Sequence, residues 1–432
     1  MVSTAKTLRS SKLTTAAGQF SRRTQLLFLA FATYLVLPII DVPLLGLSVS
    51  APILFLVALD VFFGRQKVEL HRYSRWIILG YTFWFGLLLS LAGNNLLGAF
   101  DFSSSDALTL VRFAYWVLAF VITVIFVSTT DLENRLAVAL GLAILVLTGF
   151  RLYEAIVFGR WGAWTNPRLL TQNMYGIQFS TFSSFALLLP FLLKGRWRTL
   201  AFGAIVLMII AIAGNGSRSS WLAAGTSSLV FFLLYAVTQR RGVRNVQTLI
   251  TAGAAVIVIL ISIVPSSVLE PIQQRFTTFD RIEEDKSFAI RELMVQKGWR
   301  LFLDNPLFGA GIGHFRQAST PLDIPRVLQY AGQEHFNVKS AHNSYMALLG
   351  ETGLAGILPY GFLMLTLILG GLRATIKLAR SGEVWAVAAY AGFIGMSIHL
   401  WTLSGLTGTA PWFMYGLVAA IIQRASYSKV RV

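Results

Sequence analysis

The chain has 432 residues, of which 55% are hydrophobic and only 13% charged, with a formal net charge of +17 and no cysteine. A soluble chain of this length divides into about three domains, but so few charges cannot coat so much apolar surface, and the balance is that of a polytopic membrane protein. The lack of cysteine excludes disulfides, thiolate metal sites and cysteine nucleophiles. The basic excess permits nucleic acid as a partner only if the charges gather on one soluble face.

A membrane helix needs about 20 mostly apolar residues. Twelve stretches qualify in chain order: 25–41, 44–63, 76–93, 108–128, 136–158, 174–193, 197–213, 219–237, 247–265, 343–370, 384–402 and 406–423. The first is short. Gly405, Gly408 and Pro411 are the only punctuation between the last two. The first apolar segment lacks a small-residue cleavage site and leads straight into the next span, so it does not read as a cleaved signal peptide. The predicted organisation is all-α: a cytoplasmic tail (1–24), transmembrane helices 1–9 (25–265), a long outer loop (266–342), transmembrane helices 10–12 (343–423) and a cytoplasmic tail (424–432).

Twelve spans put both termini on one side, and the positive-inside rule assigns that side. Starting in the cytoplasm, the inner segments hold 22 of the 36 Lys and Arg, from Lys6 and Arg9 through Arg72, Arg75, Arg135 and Lys377 to Arg424 and Arg431. Anionic lipid headgroups suffice as their partners, and the nucleic acid reading falls away. Nine more lie in the polar stretch 266–340, balanced by nine acids. The remaining five, Arg112, Arg151, Arg160, Arg168 and Arg218, stand at outer ends of spans. An ionisable residue there is a functional candidate by default.

Arg218 lies in GNGSRSSW (214–221), a tight turn in which Ser217 or Ser219 is placed to cap the following helix. A guanidinium beside free N–H groups at a helix start is a ready anion site; the alternative is an arginine snorkelling to outer headgroups. Arg160 and Arg168 flank the aromatic turn GRWGAWTNPRLLTQN (159–173). Trp161 and Trp164 read either as an interfacial belt or as a platform for a sugar ring. Arg151 stands three residues before Glu154, the spacing of a helical ion pair.

In the long loop, SFAIRELMVQKGWRLFL (287–303) has apolar residues at helical spacing. It predicts an amphipathic helix lying on the outer membrane face, with Arg291, Lys297 and Arg300 on its polar side. Asn305-Pro306 ends it. The GAGIGHF turn (309–315) has neither the preceding strand nor the following acid of a dinucleotide site; its glycines suit a tight turn near a ligand. The acidic run Glu283-Glu284-Asp285 reads as a solvated face. Just before the tenth span comes Lys339-Ser-Ala-His342-Asn343-Ser-Tyr345, with Asn343 or Ser344 placed to cap. Of the five histidines, His342 has the most site-like surroundings: His71 lies in a basic inner loop, His314 in the glycine turn, His335 in a polar stretch and His399 inside a span.

GWRLFLDNPLFGAGIGHF (298–315), followed by AHNSYMALLGETGLAGILPYGFLMLTLIL (341–369), resembles the O-antigen ligase and polymerase superfamily of membrane glycosyltransferases. The likeness is specific from Arg291 to about Gly370, and diffuse elsewhere. On it, Arg218 matches the family's outer-face arginine, Arg291 the arginine opening the loop helix, and His342 in H-N-S-Y the family's histidine. Arg168 with Asn173 matches a degenerate arginine-to-asparagine stretch that here lacks the usual glycines. Arg160, Arg300, Lys339, His314, Asn343 and Tyr345 are supporting candidates. The resemblance implies a GT-C-like fold with a periplasmic loop, and transfer of a glycan from a polyprenyl (undecaprenyl) pyrophosphate carrier to an acceptor hydroxyl on the periplasmic face of the bacterial inner membrane. For a ligase that acceptor is the lipid A–core oligosaccharide.

The residue chemistry agrees. A departing pyrophosphate concentrates negative charge, and the chain has no Asp-x-Asp metal motif. Guanidinium forks serve instead, because they donate bidentately and stay charged. We therefore expect a metal-independent enzyme with no cofactor, with Arg218, Arg291 and Arg168 on the pyrophosphate and His342 as general base. Direct attack by the acceptor inverts the anomeric centre. Glu351, in GETGLAG, reads as structural. Open alternatives are an O-antigen polymerase, a protein-glycosylating member of the superfamily, and, from another class, a polytopic transporter or flippase, whose ionisable groups would sit nearer the bilayer midplane.

Overall fold

The computed structural model describes residues 20–37, 50–64, 68–98, 103–159, 170–263, 270, 273, 285–403 and 405–427. Among the described residues every regular element is helical. In chain order these are α1 (Arg22–Val36), α2 (Ser50–Phe63), α3 (Ser74–Leu96, entered through a 3-10 turn, Leu70–Tyr73), α4 (Ser104–Thr129), α5 (Glu133–Val157), α6 (Gln172–Leu192), α7 (Arg196–Gly214), α8 (Arg218–Thr238) and α9 (Gly242–Ile263). There follow α10 (Lys286–Asp304), the short α11 (Gln333–Asn337), α12 (Ser344–Leu365), α13 (Gly371–Arg380), α14 (Trp385–His399) and α15 (Thr409–Tyr427).

Each of the twelve predicted stretches overlaps a helix among the described residues. Seven helices among the described residues are long and apolar enough to cross a membrane, and α2 and α14 are shorter apolar helices. The protein is an all-α, multi-pass membrane protein. The predicted 343–370 span is part of a longer helical run, Ser344–Arg380, kinked at Gly353 and continued past α12 because a π turn at Thr366–Gly370 joins α12 to α13. In the predicted 384–402 span the helix stops at His399, and Leu400 and Trp401 form a turn.

Two lines of close packing build the bundle. α4 lies along α15, and aromatic rings fill the space around them: Phe28 stacks on Phe126 at 4.3 Å, and Phe83 meets Trp412 at 5.2 Å. α14 lies against α6 and α8. A methyl on Gly392 would meet the Thr181 carbonyl at 2.1 Å, and one on Gly395 the Ser180 carbonyl at 2.5 Å. Small residues let helix backbones approach this closely in a membrane. At one end Arg424 clamps the bundle, reaching Glu133 at 3.1 Å, Glu383 at 3.0 Å and the Thr130 carbonyl at 3.1 Å. A sequence reading that leaves Arg424 to lipid headgroups misses this brace.

At the other end, residues 285–341 form a small domain with its own core of Leu293, Met294, Leu301, Phe315, Leu328 and Phe336. The predicted amphipathic helix is α10, and it packs on α12. An added methyl on Gly298 would meet the Met346 carbonyl at 2.7 Å, and one on Gly350 the Gly298 carbonyl at 2.9 Å. Lys297 is not on a polar face: it is 0% exposed, with its ammonium on the Asn337 carbonyl and 4.9 Å from the Phe315 ring. Burial pushes it down to about 8, against the pull of Glu351. A helical wheel cannot show this, because the rest of the loop covers that side.

The glycine turn docks on protein rather than lying open. Gly353 adopts φ 56° and breaks α12, and the freed Leu354 and Ala355 N–H groups donate to the Pro306 and Leu307 carbonyls at 2.8 and 3.0 Å. Ala310 N donates to the Gly350 carbonyl at 2.8 Å, and Phe315 N to the Glu351 carboxylate at 3.0 Å. The expected turn near a ligand is thus corrected: the glycines allow close docking onto the kink. Glu351 has a structural role, as its place in GETGLAG suggested.

Candidate active site

The site lies at the domain-bearing end, where three helices begin and one ends. α8 starts from a turn at Gly214–Gly216, and Gly216 takes φ 66°. Ser217 is the cap: its hydroxyl accepts from Ser220 N at 3.4 Å. Arg218 is then the first helical residue, beside the positive end of the helix. Neighbours hold the turn. Asn215 Nδ2 donates to the Gln172 carbonyl at 3.0 Å, and Arg151 Nη2 donates to the Gly214 carbonyl at 2.7 Å while lying over the Tyr175 ring. Arg151 thus closes the end of α7.

α10 starts at Asp285, whose carboxylate accepts from Ser287 N at 2.8 Å and Phe288 N at 3.3 Å. The same carboxylate forms an ion pair with Arg218, and both side chains are mostly buried. Burial pulls the Asp285 carboxyl upward, but Arg218 and the two N–H groups outweigh it, so it lies below the ordinary 3.8. The expected solvated face is corrected at this position; Glu283 and Glu284 lie outside the described residues.

Arg291, on the second turn of α10, is partly buried, and it is in electrostatic reach of Arg218, Asp285 and His342. Burial and then Arg218 lower its pKa, and Asp285 opposes them. A guanidinium stays charged at any ordinary pH. Asp285 thus lies within electrostatic reach of both guanidinium groups.

His342 precedes α12. Asn343 caps that helix, accepting from Tyr345 N and Met346 N at 3.0 Å each. To enter the cap, His342 takes φ 49°, the only positive φ outside glycine among the described residues. Such a conformation costs energy and persists only where the surroundings impose it, commonly at functional sites. Its Nε2 is 3.5 Å from Ser340 Oγ. Burial, then Arg291, then Lys339 push the imidazole below its ordinary 6.5.

Arg218, Arg291, His342 and, at the edge, Lys339 are thus brought together. The other candidates stand apart. Arg300 is paired with Asp323 and the Pro321 carbonyl. His314 is 2.8 Å from Asp106 at the start of α4. Tyr345 braces α12 against α14 through the Ser397 carbonyl at 2.8 Å. Arg160 and Arg168 lie outside the described residues. Asp285 and His399 are near the cluster and escape a sequence reading. Asp285 hides in a run of acids, and His399 sits in an apolar helix, where its only signal is being ionisable at all.

Residues 203–361, which include Arg218, Arg291 and His342, match the family model described as O-Antigen ligase. No curated protein matches the chain.

Proposed function

We propose that this chain, whose residues 203–361 match the O-antigen ligase family model, transfers O-polysaccharide from undecaprenyl pyrophosphate to the lipid A–core oligosaccharide, on the periplasmic side of the inner membrane. The observation that carries this reading is the convergence of Arg218, Arg291 and His342 at one end of the bundle. Arg218 and Arg291 grip the pyrophosphate and take up the charge that grows on it as the glycosidic bond breaks, each donor contributing on the order of 3 kcal/mol. His342, neutral at ordinary pH, removes the proton of the acceptor hydroxyl as that oxygen attacks the anomeric carbon. The pyrophosphate leaves on the opposite face, and the anomeric configuration inverts. The reaction needs no metal, because arginines hold the leaving group.

The ends of the chain lie in the cytoplasm on this reading, and the loop of residues 266–342 faces the periplasm. Lipopolysaccharide from a strain lacking the chain tests the acceptor. Loss of all O-chain, with lipid-linked polymer accumulating, is expected. A single repeat left on the core would instead identify a polymerase.

A further inference from the structure

Three helices close on one another below the arginines, and His399 stands where they meet. At Gly176 of α6 an added methyl would strike Ser220 Oγ of α8 at 1.9 Å and His399 Cε1 of α14 at 3.1 Å. The imidazole is 0% exposed and faces the Ser219 backbone. The Ser219 backbone engages one ring nitrogen, while the other and the neighbouring Ser220 Oγ make no hydrogen bond among the described residues. Buried polar groups with unspent hydrogen-bonding capacity are uncommon and call for a reason. Arg291 is in electrostatic reach of this ring as well as of His342.

Immediately after His399 the chain takes hold of α12. The Leu400 carbonyl accepts from Ser344 N at 2.9 Å, and the Leu403 carbonyl accepts from Ser344 Oγ at 2.6 Å. Gly405 N donates to the same hydroxyl at 2.8 Å. Ser344 stands two residues after His342. His399 therefore touches the first turn of the Arg218 helix through its side chain, and Leu400, Leu403 and Gly405 touch the first turn of the His342 helix through backbone.

We propose that His399 is a positioning residue that sets the spacing between Arg218 and His342, so that the guanidinium and the imidazole face one substrate. The role builds on the transfer reaction above. His399 is too deeply buried to touch substrate. It supplies a ring that fills the junction of α6, α8 and α14, and a polar edge turned to the Ser219 backbone. Leucine reproduces the bulk without the polar edge, whereas glutamine keeps a polar edge. Because the effect is on the reacting geometry, it belongs in kcat and not in donor binding.

The test is steady-state transfer from a lipid-pyrophosphate-linked glycan by purified wild type, His399→Leu, His399→Gln and His399→Ala, with melting temperatures alongside. His399→Leu is expected to melt like wild type and to lose kcat on the order of tenfold to a hundredfold, the scale of a small misplacement of reacting groups, with donor KM unchanged. His399→Gln is expected to recover most of the rate. A folded leucine variant with wild-type kcat, a loss confined to donor KM, or a glutamine variant no better than leucine would each overturn the role. Should the leucine variant not fold, His399→Gln against His399→Ala carries the same comparison. An inactive wild-type protein would overturn the transfer reaction itself, and this role with it; an active wild type beside an unimpaired leucine variant overturns the role alone.

Discussion

The Arg218 guanidinium and the Asp285 carboxylate form an ion pair that ties the first turn of α8 to the first turn of α10. Asp285 also caps α10 through Ser287 N and Phe288 N, so one carboxylate fixes both a helix start and an arginine.

The two tasks separate on substitution. Asp285→Asn keeps a capping side chain and loses the charge; Asp285→Ala loses both. The alanine variant is expected to be less stable than the asparagine variant by about 1 kcal/mol, the usual contribution of a cap. Thermal melts in detergent check this, and equal stabilities would mean that Asp285 does not act as the cap. Because the folded carboxyl lies below 3.8, the pair stabilises the fold above that pH, and its contribution is lost as pH falls through the lower, folded value.

Arg218→Lys and Arg291→Lys keep the charge and lose the planar fork. A point charge cannot reproduce bidentate grip on phosphate, so each is expected to lower kcat on the order of a hundredfold or more while expression and melting temperature hold. Wild-type transfer is expected to persist in chelator. Full activity in either lysine variant, or a chelator loss restored by a divalent ion, would remove the arginines from their assigned role.

The pH profile reports His342. Its imidazole must be neutral to accept a proton, and burial with Arg291 and Lys339 holds it below 6.5. The rate is expected to rise with pH along an acid limb whose midpoint lies below 6.5, then to stay flat through neutrality. The stability sign is the same: a buried neutral histidine resists charging, so stability falls as pH drops from 6.5 toward the folded value. An acid limb centred above 6.5 would contradict the electrostatics described.

Gly353→Ala tests the docking of the glycine turn. The site combines φ 56° with a Cβ position 2.5 Å from the Pro306 carbonyl. The backbone conformation alone costs about 1–3 kcal/mol for a residue with a side chain, and the collision adds to it. A lower melting temperature with reduced transfer is expected; an unchanged melt would mean that the kink is not needed.

Much of this arrangement can be read in the sequence, and what cannot has a common cause. Ser217 and Asn343 announce helix starts because they are capping residues before apolar runs. Arg218 is conspicuous because arginine is scarce on the side assigned to it, and His342 because it closes a polar loop at a helix junction. Local pattern is silent on pairings made only in three dimensions. The acids before α10 look alike until Asp285 meets Arg218. Lys297 looks solvated until residues 315–341 fold over it. The glycines 309–313 look like a ligand turn until GETGLAG lies beneath them. His399 looks like one more residue of an apolar helix until α6 and α8 close around it.

The most direct measurement is transfer in vitro, with purified protein, a defined polyprenyl-pyrophosphate-linked glycan and lipid A–core acceptor, comparing wild type with His342→Ala and with Arg300→Ala as a loop control. The account predicts that wild type and Arg300→Ala transfer the glycan, and that His342→Ala, folded and membrane-inserted, loses at least about a hundredfold in rate. A His342→Ala protein working near the wild-type rate would contradict it.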